Sequence, residues 1–312
     1  MRLFFAIFAI FFYCMTSFAA LNKLVVFGDS LSDNGNLYEY MKHQLPLSPP
    51  YFQGRFTNGP VWVELLMQSY YPKHANEHLF DYAFGGAGVM EGDDVDEDLF
   101  TLRREMDSYF LAHQDKADAN AMYIVWIGSN NYLAMPDNLD QTIAEVTSGI
   151  QHGLQRLAEK GAKHILVVNL PDLGKIPAAR DFDSVDMLTY LSKNHNQIIS
   201  NTVEEYKKIY PDVQWLFFDV NQFFTDIIAD PASFGLTNLY GTCYEEMITA
   251  GETKSILKMV SSIQPKEKID ACAGYLFFDP VHPAKTAHEH MALRTKNLFD
   301  RSGVTFEPEK NN

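Results

Sequence analysis

Leu24-Val25-Val26-Phe27-Gly28-Asp29-Ser30-Leu31-Ser32-Asp33-Asn34-Gly35-Asn36 decides how the rest of the chain is read. Four apolar residues run into a glycine, an acid and a serine. A short apolar run closed by small turn residues is the pattern of a buried strand that ends abruptly. Ser30 then sits just past the strand's C-terminal end, and in an open parallel sheet that edge is where ligands bind. A helix starting within residues 32–36 would turn its free N–H groups toward the same place and favour developing negative charge there.

Similar strands recur along the chain. Residues 79–84 form an apolar-rich run closed by Gly85-Gly86-Ala87-Gly88, and residues 121–127 one closed by Gly128-Ser129-Asn130-Asn131. Residues 163–170 exit through Pro171-Asp172-Leu173-Gly174, and residues 213–219 make a fifth run. Between them, apolar residues spaced by three and four predict helices over 60–70, 99–111, 138–160 and 184–210. Strands alternating with helices predict an α/β fold: a three-layer α/β/α sandwich with a central parallel sheet. The glycine cluster at 85–88 lacks the spacing and the lysine of a phosphate-binding loop.

Residues 230–273 are less regular and read as a loop insertion with a short helix near 251–261. After it, Tyr275-Leu276-Phe277-Phe278 leads into Asp279-Pro280-Val281-His282-Pro283, and a helix follows to about 299. Three positions separate the acid from the imidazole, about one turn of chain. Asp279 can then orient the ring while His282 faces a nucleophile.

Four of these stretches, in this order, resemble the sequence blocks of the GDSL lipases and esterases, also called SGNH hydrolases: residues 27–36, the glycine cluster, the Asn130 turn and Asp279-Pro280-Val281-His282-Pro283. The long first block, together with Gly54-Arg55-Phe56-Thr57-Asn58-Gly59-Pro60-Val61-Trp62, is similar to the bacterial branch of secreted phospholipases, lysophospholipases and glycerophospholipid:cholesterol acyltransferases. The resemblance implies a flavodoxin-like SGNH fold. It implies Ser30 as nucleophile, His282 as base and Asp279 as its partner. It further implies an oxyanion hole of the Ser30 N–H, the Gly86 N–H and the Asn130 side-chain amide. The substrate implied is a lysophospholipid or phospholipid, with release of fatty acid. An alcohol such as cholesterol is a second acyl acceptor, and the wider family also contains carbohydrate acetylesterases. No cofactor or metal is implied. The family commonly has Asp where this chain has Asn131, which leaves the proposed donor intact and removes one negative charge beside it.

Composition narrows the partners. A formal net charge of -15 argues against non-specific nucleic-acid binding and against long residence on anionic membranes. Contact with a lipid or micelle surface is therefore expected to be transient. At the N-terminus, Arg2 precedes an apolar run over 3–13, and Ser17-Phe18-Ala19 places small residues at -3 and -1. This is the pattern of a signal peptide over 1–19, ahead of a single domain over 20–312; the run is too short to span a bilayer comfortably. Export, to the outside or the periplasm, leaves Cys243 and Cys272, which suggests a disulfide closing the 243–272 excursion; two buried thiols are the alternative. Arg55, Asp172 and His195 read as structural residues. The acidic run 91–98 lacks EF-hand spacing and reads as a solvated loop.

Overall fold

The computed structural model describes residues 20–89, 100–243 and 272–309. The leader over 1–19, the acidic run 91–98 and the helix expected near 251–261 lie outside the described residues.

Strands β1 (Lys23–Gly28), β2 (Leu79–Asp81), β3 (Ala121–Trp126), β4 (His164–Val168) and β5 (Gln214–Phe218) form one parallel sheet in the order β2-β1-β3-β4-β5. Every residue of β3 and β4 is buried, so these strands read as unbroken apolar runs rather than alternating ones. The order is that of the flavodoxin-like fold. The chain steps outward from β1 to β2, then back across β1 to β3, β4 and β5. With right-handed crossovers, that reversal sends the connecting helices to opposite faces. On one face α2 (Trp62–Tyr70) packs against the last helix, Lys285–Arg301. On the other, Leu102–Ala112 (α4) packs on Leu139–Glu159 (α6), and α6 on Val185–Ile209 (α8). The short helices that complete the numbering up to α8 are Asn36–Tyr40 (α1), Ala75–His78 (α3), Ser129–Leu133 (α5) and Pro177–Asp181 (α7).

Local chemistry sets the helix limits. The Asn138 side chain accepts the Gln141 N–H at 3.2 Å and starts α6, whose Ile143, Val146, Ile150, Leu154 and Leu157 form its buried stripe. Thr101 caps α4 through the Arg104 N–H at 3.4 Å, a little later than residue 99. β2 stops at Asp81, short of residue 84. Its carboxylate turns back to the Ala83 N–H (2.9 Å), and Asn36 Nδ2 takes the Asp81 and Ala83 carbonyls (2.9 Å each).

Besides the short helices α3, α5 and α7, a longer helix and a further strand were not expected from the pattern. Helix α9 (Val220–Ala229) begins at Asp219, whose side chain accepts the Gln222 N–H at 3.0 Å. Its buried Val220, Phe223, Phe224 and Ile227 have helical spacing, a signal present in the sequence. Strand β6 (Asn238–Thr242) pairs in parallel with β7 (Tyr275–Phe277) as a separate two-stranded sheet. It is largely unburied and carries Asn and Gly, so no apolar run announces it. Helix Lys285–Arg301 (α10) follows.

Cys243 and Cys272 form a disulfide, as expected. Cys243 is buried in a small apolar cluster with Leu37, Tyr51, Phe56, Phe278 and Ala284. The bond closes a separation of 29 residues. Loop-closure entropy for that length amounts to about 3–4 kcal/mol. Cys243→Ser with Cys272→Ser is expected to lower unfolding free energy by about that amount in denaturant titrations. An unchanged midpoint would show that the bond contributes nothing to stability.

Candidate active site

The sheet order puts a topological switch point between β1 and β3, whose ends are in register, Gly28 opposite Trp126. Ser30 therefore emerges beside the turn that carries Asn130, at the edge where open sheets bind ligands. Gly28 is required here: a Cβ at this position would lie 2.7 Å from the Trp126 carbonyl oxygen.

Asp279 and His282 come from the tight loop between β7 and α10. That loop is closed by the Phe278 N–H on the His282 carbonyl and the Ala284 N–H on the Leu276 carbonyl, both 2.8 Å. Asp279 Oδ1 accepts the backbone N–H groups of Val281 (2.8 Å) and His282 (2.7 Å). Asp279 Oδ2 lies 2.6 Å from His282 Nδ1, and His282 Nε2 lies 2.8 Å from Ser30 Oγ. All three residues are buried, Asp279 completely. Burial alone would raise the Asp279 carboxyl. The charge of His282, its ring hydrogen bond and the two backbone donors outweigh it and hold the group below the usual carboxylate range. An ionised carboxylate only accepts, so Nδ1 carries the ring proton and the Nε2 lone pair faces the Ser30 hydroxyl.

The other predicted residues converge on the same point. Asn130 Nδ2 donates to the Ala87 carbonyl at 2.7 Å. A carbonyl cannot donate, which fixes the amide orientation, and the second N–H of that nitrogen has no hydrogen-bond partner among the described residues. Gly86 adopts φ +79, a conformation L side chains rarely take. Neither its N–H nor that of Ser30 has a hydrogen-bond partner among the described residues. Asn131 Oδ1 accepts the Val89 N–H at 2.8 Å and holds this loop without a carboxylate's charge.

One expectation is corrected. The N–H groups at the start of α1 do not face Ser30. Those of Gly35 (2.7 Å), Asn36 (2.6 Å) and Leu37 (3.2 Å) bind the Asp33 carboxylate, which also takes the Gly85 N–H at 2.7 Å. Asp33 thus ties the Ser30 loop to the turn that presents Gly86. Burial pushes Asp29 and Asp33 up to about 6. Glu105 on α4 accepts the Gly28 N–H at 2.9 Å, and burial raises its carboxyl well above the usual range. Asp33 is visible in the first block, although its partners are not. Glu105 has no sequence signal, because it occupies an ordinary helix position.

Arg55, Asp172 and His195, read as structural, each make internal hydrogen bonds, and Asp172 also borders the cavity that opens onto Ser30. Arg55 donates to Glu64 (3.1 and 2.6 Å) and to the Gln53 carbonyl (2.6 Å), bracing the start of α2. Asp172 accepts the Gly174 N–H and the Thr189 hydroxyl. His195 is buried behind α5, 2.9 Å from the Tyr132 hydroxyl, and burial lowers it to about 3.

A cavity of about 260 Å³ opens onto Ser30, Asn130 and His282, with Leu133, Leu173, Ile176, Phe224, Ile228 and Phe277 among its walls. A smaller recess of about 90 Å³ borders the same three residues and is walled by Leu37, Leu45, Phe56 and Gly86. Among the described residues, no helix is long and apolar enough to cross a membrane.

A parallel sheet carrying a Ser–His–Asp hydrogen-bond chain at its switch point has the parts of a serine hydrolase. The profile of the GDSL-like Lipase/Acylhydrolase family matches residues 24–295, and the chain belongs to that family. It is 30% identical over 300 residues to a phosphatidylcholine-sterol acyltransferase of Aeromonas hydrophila, covering 86% of this chain and 87% of that one. It is 28% identical to a secreted effector protein of Salmonella typhimurium, covering 91% of this chain and 65% of the effector. A thermolabile hemolysin of Vibrio parahaemolyticus is 26% identical, with 87% of this chain and 62% of the hemolysin covered. In fold, it is similar to the aryl esterase of M. smegmatis, with a TM-score of 0.50, 13% identity, and coverage of 90% of this chain and 99% of that one.

Proposed function

We propose that the protein is an exported lysophospholipase or phospholipase A that releases fatty acid through an acyl-enzyme on Ser30. The observation that carries this reading is the apolar cavity opening onto the Ser30–His282 pair. Each methylene buried there contributes about 0.8 kcal/mol, close to fourfold in binding, so long acyl chains gain most. The disulfide suits an oxidising compartment and supports export.

In this mechanism His282 Nε2 takes the Ser30 proton as Oγ attacks the ester carbonyl. Asp279 stabilises the imidazolium and holds the ring. Negative charge on the tetrahedral oxygen is met by the Ser30 and Gly86 N–H groups and the free Asn130 N–H. His282 then protonates the departing alcohol, leaving the acyl group on Oγ. It next removes a proton from the attacking water and returns it to Ser30 Oγ as the Oγ–acyl bond breaks and the fatty acid is freed. The smaller recess lies on the Gly86 side of the same serine and has room for the glycerol side of the substrate. Encounter with a membrane or micelle surface need only be brief.

Acyl transfer to an alcohol such as cholesterol is the second reading, favoured by the similarity to the Aeromonas sterol acyltransferase. Product analysis separates the two. Purified protein is offered lysophosphatidylcholine, diacyl phosphatidylcholine and short acetyl esters, with and without cholesterol. Free fatty acid, mainly from the lysolipid, is the expected product. Cholesteryl ester as the main product would make the protein an acyltransferase. Turnover of acetyl esters alone would overturn the lipid assignment.

A further inference from the structure

We propose that Tyr51 is a positioning residue of the catalytic relay: its hydroxyl, donated to Asp279, limits how strongly that carboxylate stabilises the His282 imidazolium. The inference rests on the serine-esterase reading of the site, and not on which lipid is cleaved.

Tyr51 OH lies 2.7 Å from Asp279 Oδ2, the oxygen that also receives the His282 ring proton. The hydrogen bond is buried and joins residues 228 positions apart. With Val281 and His282 N–H on Oδ1, the carboxylate has four donors, about its full capacity. The tyrosine is packed against two aromatic rings and held by its backbone. Its ring lies 5.1 Å from Phe278 and 6.0 Å from Phe56, and Phe56 lies 5.1 Å from the His282 ring, all between centroids. Its carbonyl accepts the Ser48 hydroxyl at 2.6 Å.

The segment carrying Tyr51 is also lashed to the relay loop. Thr57 Oγ1 donates to the Pro283 carbonyl at 2.8 Å, and Asn58 Oδ1 accepts the Lys285 N–H at 2.7 Å. These bonds fall immediately after His282. The hydroxyl is therefore presented by a braced loop, against an oxygen in direct contact with the catalytic ring.

The physical consequence has a definite sign. A hydrogen bond to a carboxylate spreads and stabilises its charge. Without the phenol, more of the charge on Oδ2 is directed at His282, and the protonated ring is favoured over the neutral one. Only the neutral ring can take the Ser30 proton. Loss of the hydroxyl thus moves the acid limb of the pH–rate profile to higher pH. Among the described residues, Asp29, just past β1, and His288 on α10 are further ionisable groups that act on His282. Burial and the neighbouring His282 keep His288 uncharged across the working range, with a value of about 3, and its Nδ1 faces the Trp62 N–H. Burial pushes Asp29 up to about 6. Both remain when Tyr51 is changed, so the difference between two profiles isolates the hydroxyl.

The test is kcat/KM for p-nitrophenyl butyrate across the acid and neutral range, for the native protein and Tyr51→Phe, with a thermal melt of each. Phenylalanine keeps the ring contacts. The acid limb of Tyr51→Phe is expected to rise by about half a pH unit or more. An unmoved limb, or one moved down, overturns the proposal, since a purely packing role would lower stability without shifting the limb. Incorporation of 3-fluorotyrosine at position 51, a stronger donor of nearly the same shape, is expected to move the limb the opposite way; a shift in the same direction as Tyr51→Phe, or none, overturns the proposal independently of any folding defect. Failure of the esterase reading itself shows separately, as equal hydrolysis by native protein and Ser30→Ala.

Discussion

Ser30→Ala is expected to lower kcat for ester hydrolysis by a factor on the order of 10⁶ while the fold stays intact. The Ser30 hydroxyl has the one group able to activate it, His282 Nε2, at 2.8 Å. Alanine removes both the attacking oxygen and the acyl attachment point, so no covalent intermediate forms. What remains is water attack aided by the oxyanion donors, worth roughly 10³–10⁴ over the uncatalysed reaction. The structural cost is small. The missing hydroxyl leaves His282 Nε2 without that partner, about 1 kcal/mol of stability. The methyl group fits the space the serine side chain already fills. Single-turnover kinetics and circular dichroism check the two halves together. A folded variant retaining more than a tenth of native kcat would remove Ser30 as nucleophile.

Asp279→Asn is expected to lower kcat by about 10⁴ with near-native structure, for a reason specific to this loop. Oδ1 must accept the Val281 and His282 N–H groups, so the asparagine carbonyl takes that place. The amide nitrogen is then forced into the Oδ2 position, facing His282 Nδ1. An N–H there donates to Nδ1 and moves the ring proton to Nε2. His282 then presents a donor to Ser30 and cannot take its proton. The Tyr51 hydroxyl can rotate and accept from the new amide, so packing around the site is retained. Kinetics paired with a thermal melt decide the matter. A drop below tenfold would mean that the tautomer is set by something other than Asp279.

The sheet was readable in the sequence to a large extent. Strands buried on both faces appear as apolar runs, and those of β1, β3, β4 and β5 fall where the runs are. Long helices such as α6 and α8 show their buried stripes directly. β6 was not readable because its residues are only partly buried, and partly buried strands lack an apolar run. The site was readable as a set of residue types: a serine, an asparagine and a histidine each following a strand, with an acid three positions before the histidine. The reach of Asp33 to Gly85, of Glu105 to Gly28 and of Tyr51 to Asp279 was not. Each is a contact across 52, 77 or 228 positions, decided by side-chain direction after packing.

By itself, the sequence determined the α/β alternation, the glycines at tight backbone approaches and the chemical cast of the site. These depend on local rules: burial period, turn dihedrals and the donor or acceptor character of each side chain. Tertiary structure alone decided that Ser30 and His282, 252 positions apart, meet at 2.8 Å, and that the start of α1 is occupied by Asp33. It also decided that a tyrosine from a proline-rich loop completes the carboxylate's hydrogen bonds. The reason is the reversal of strand order between β1 and β3, which opens a crevice where loops distant in sequence converge.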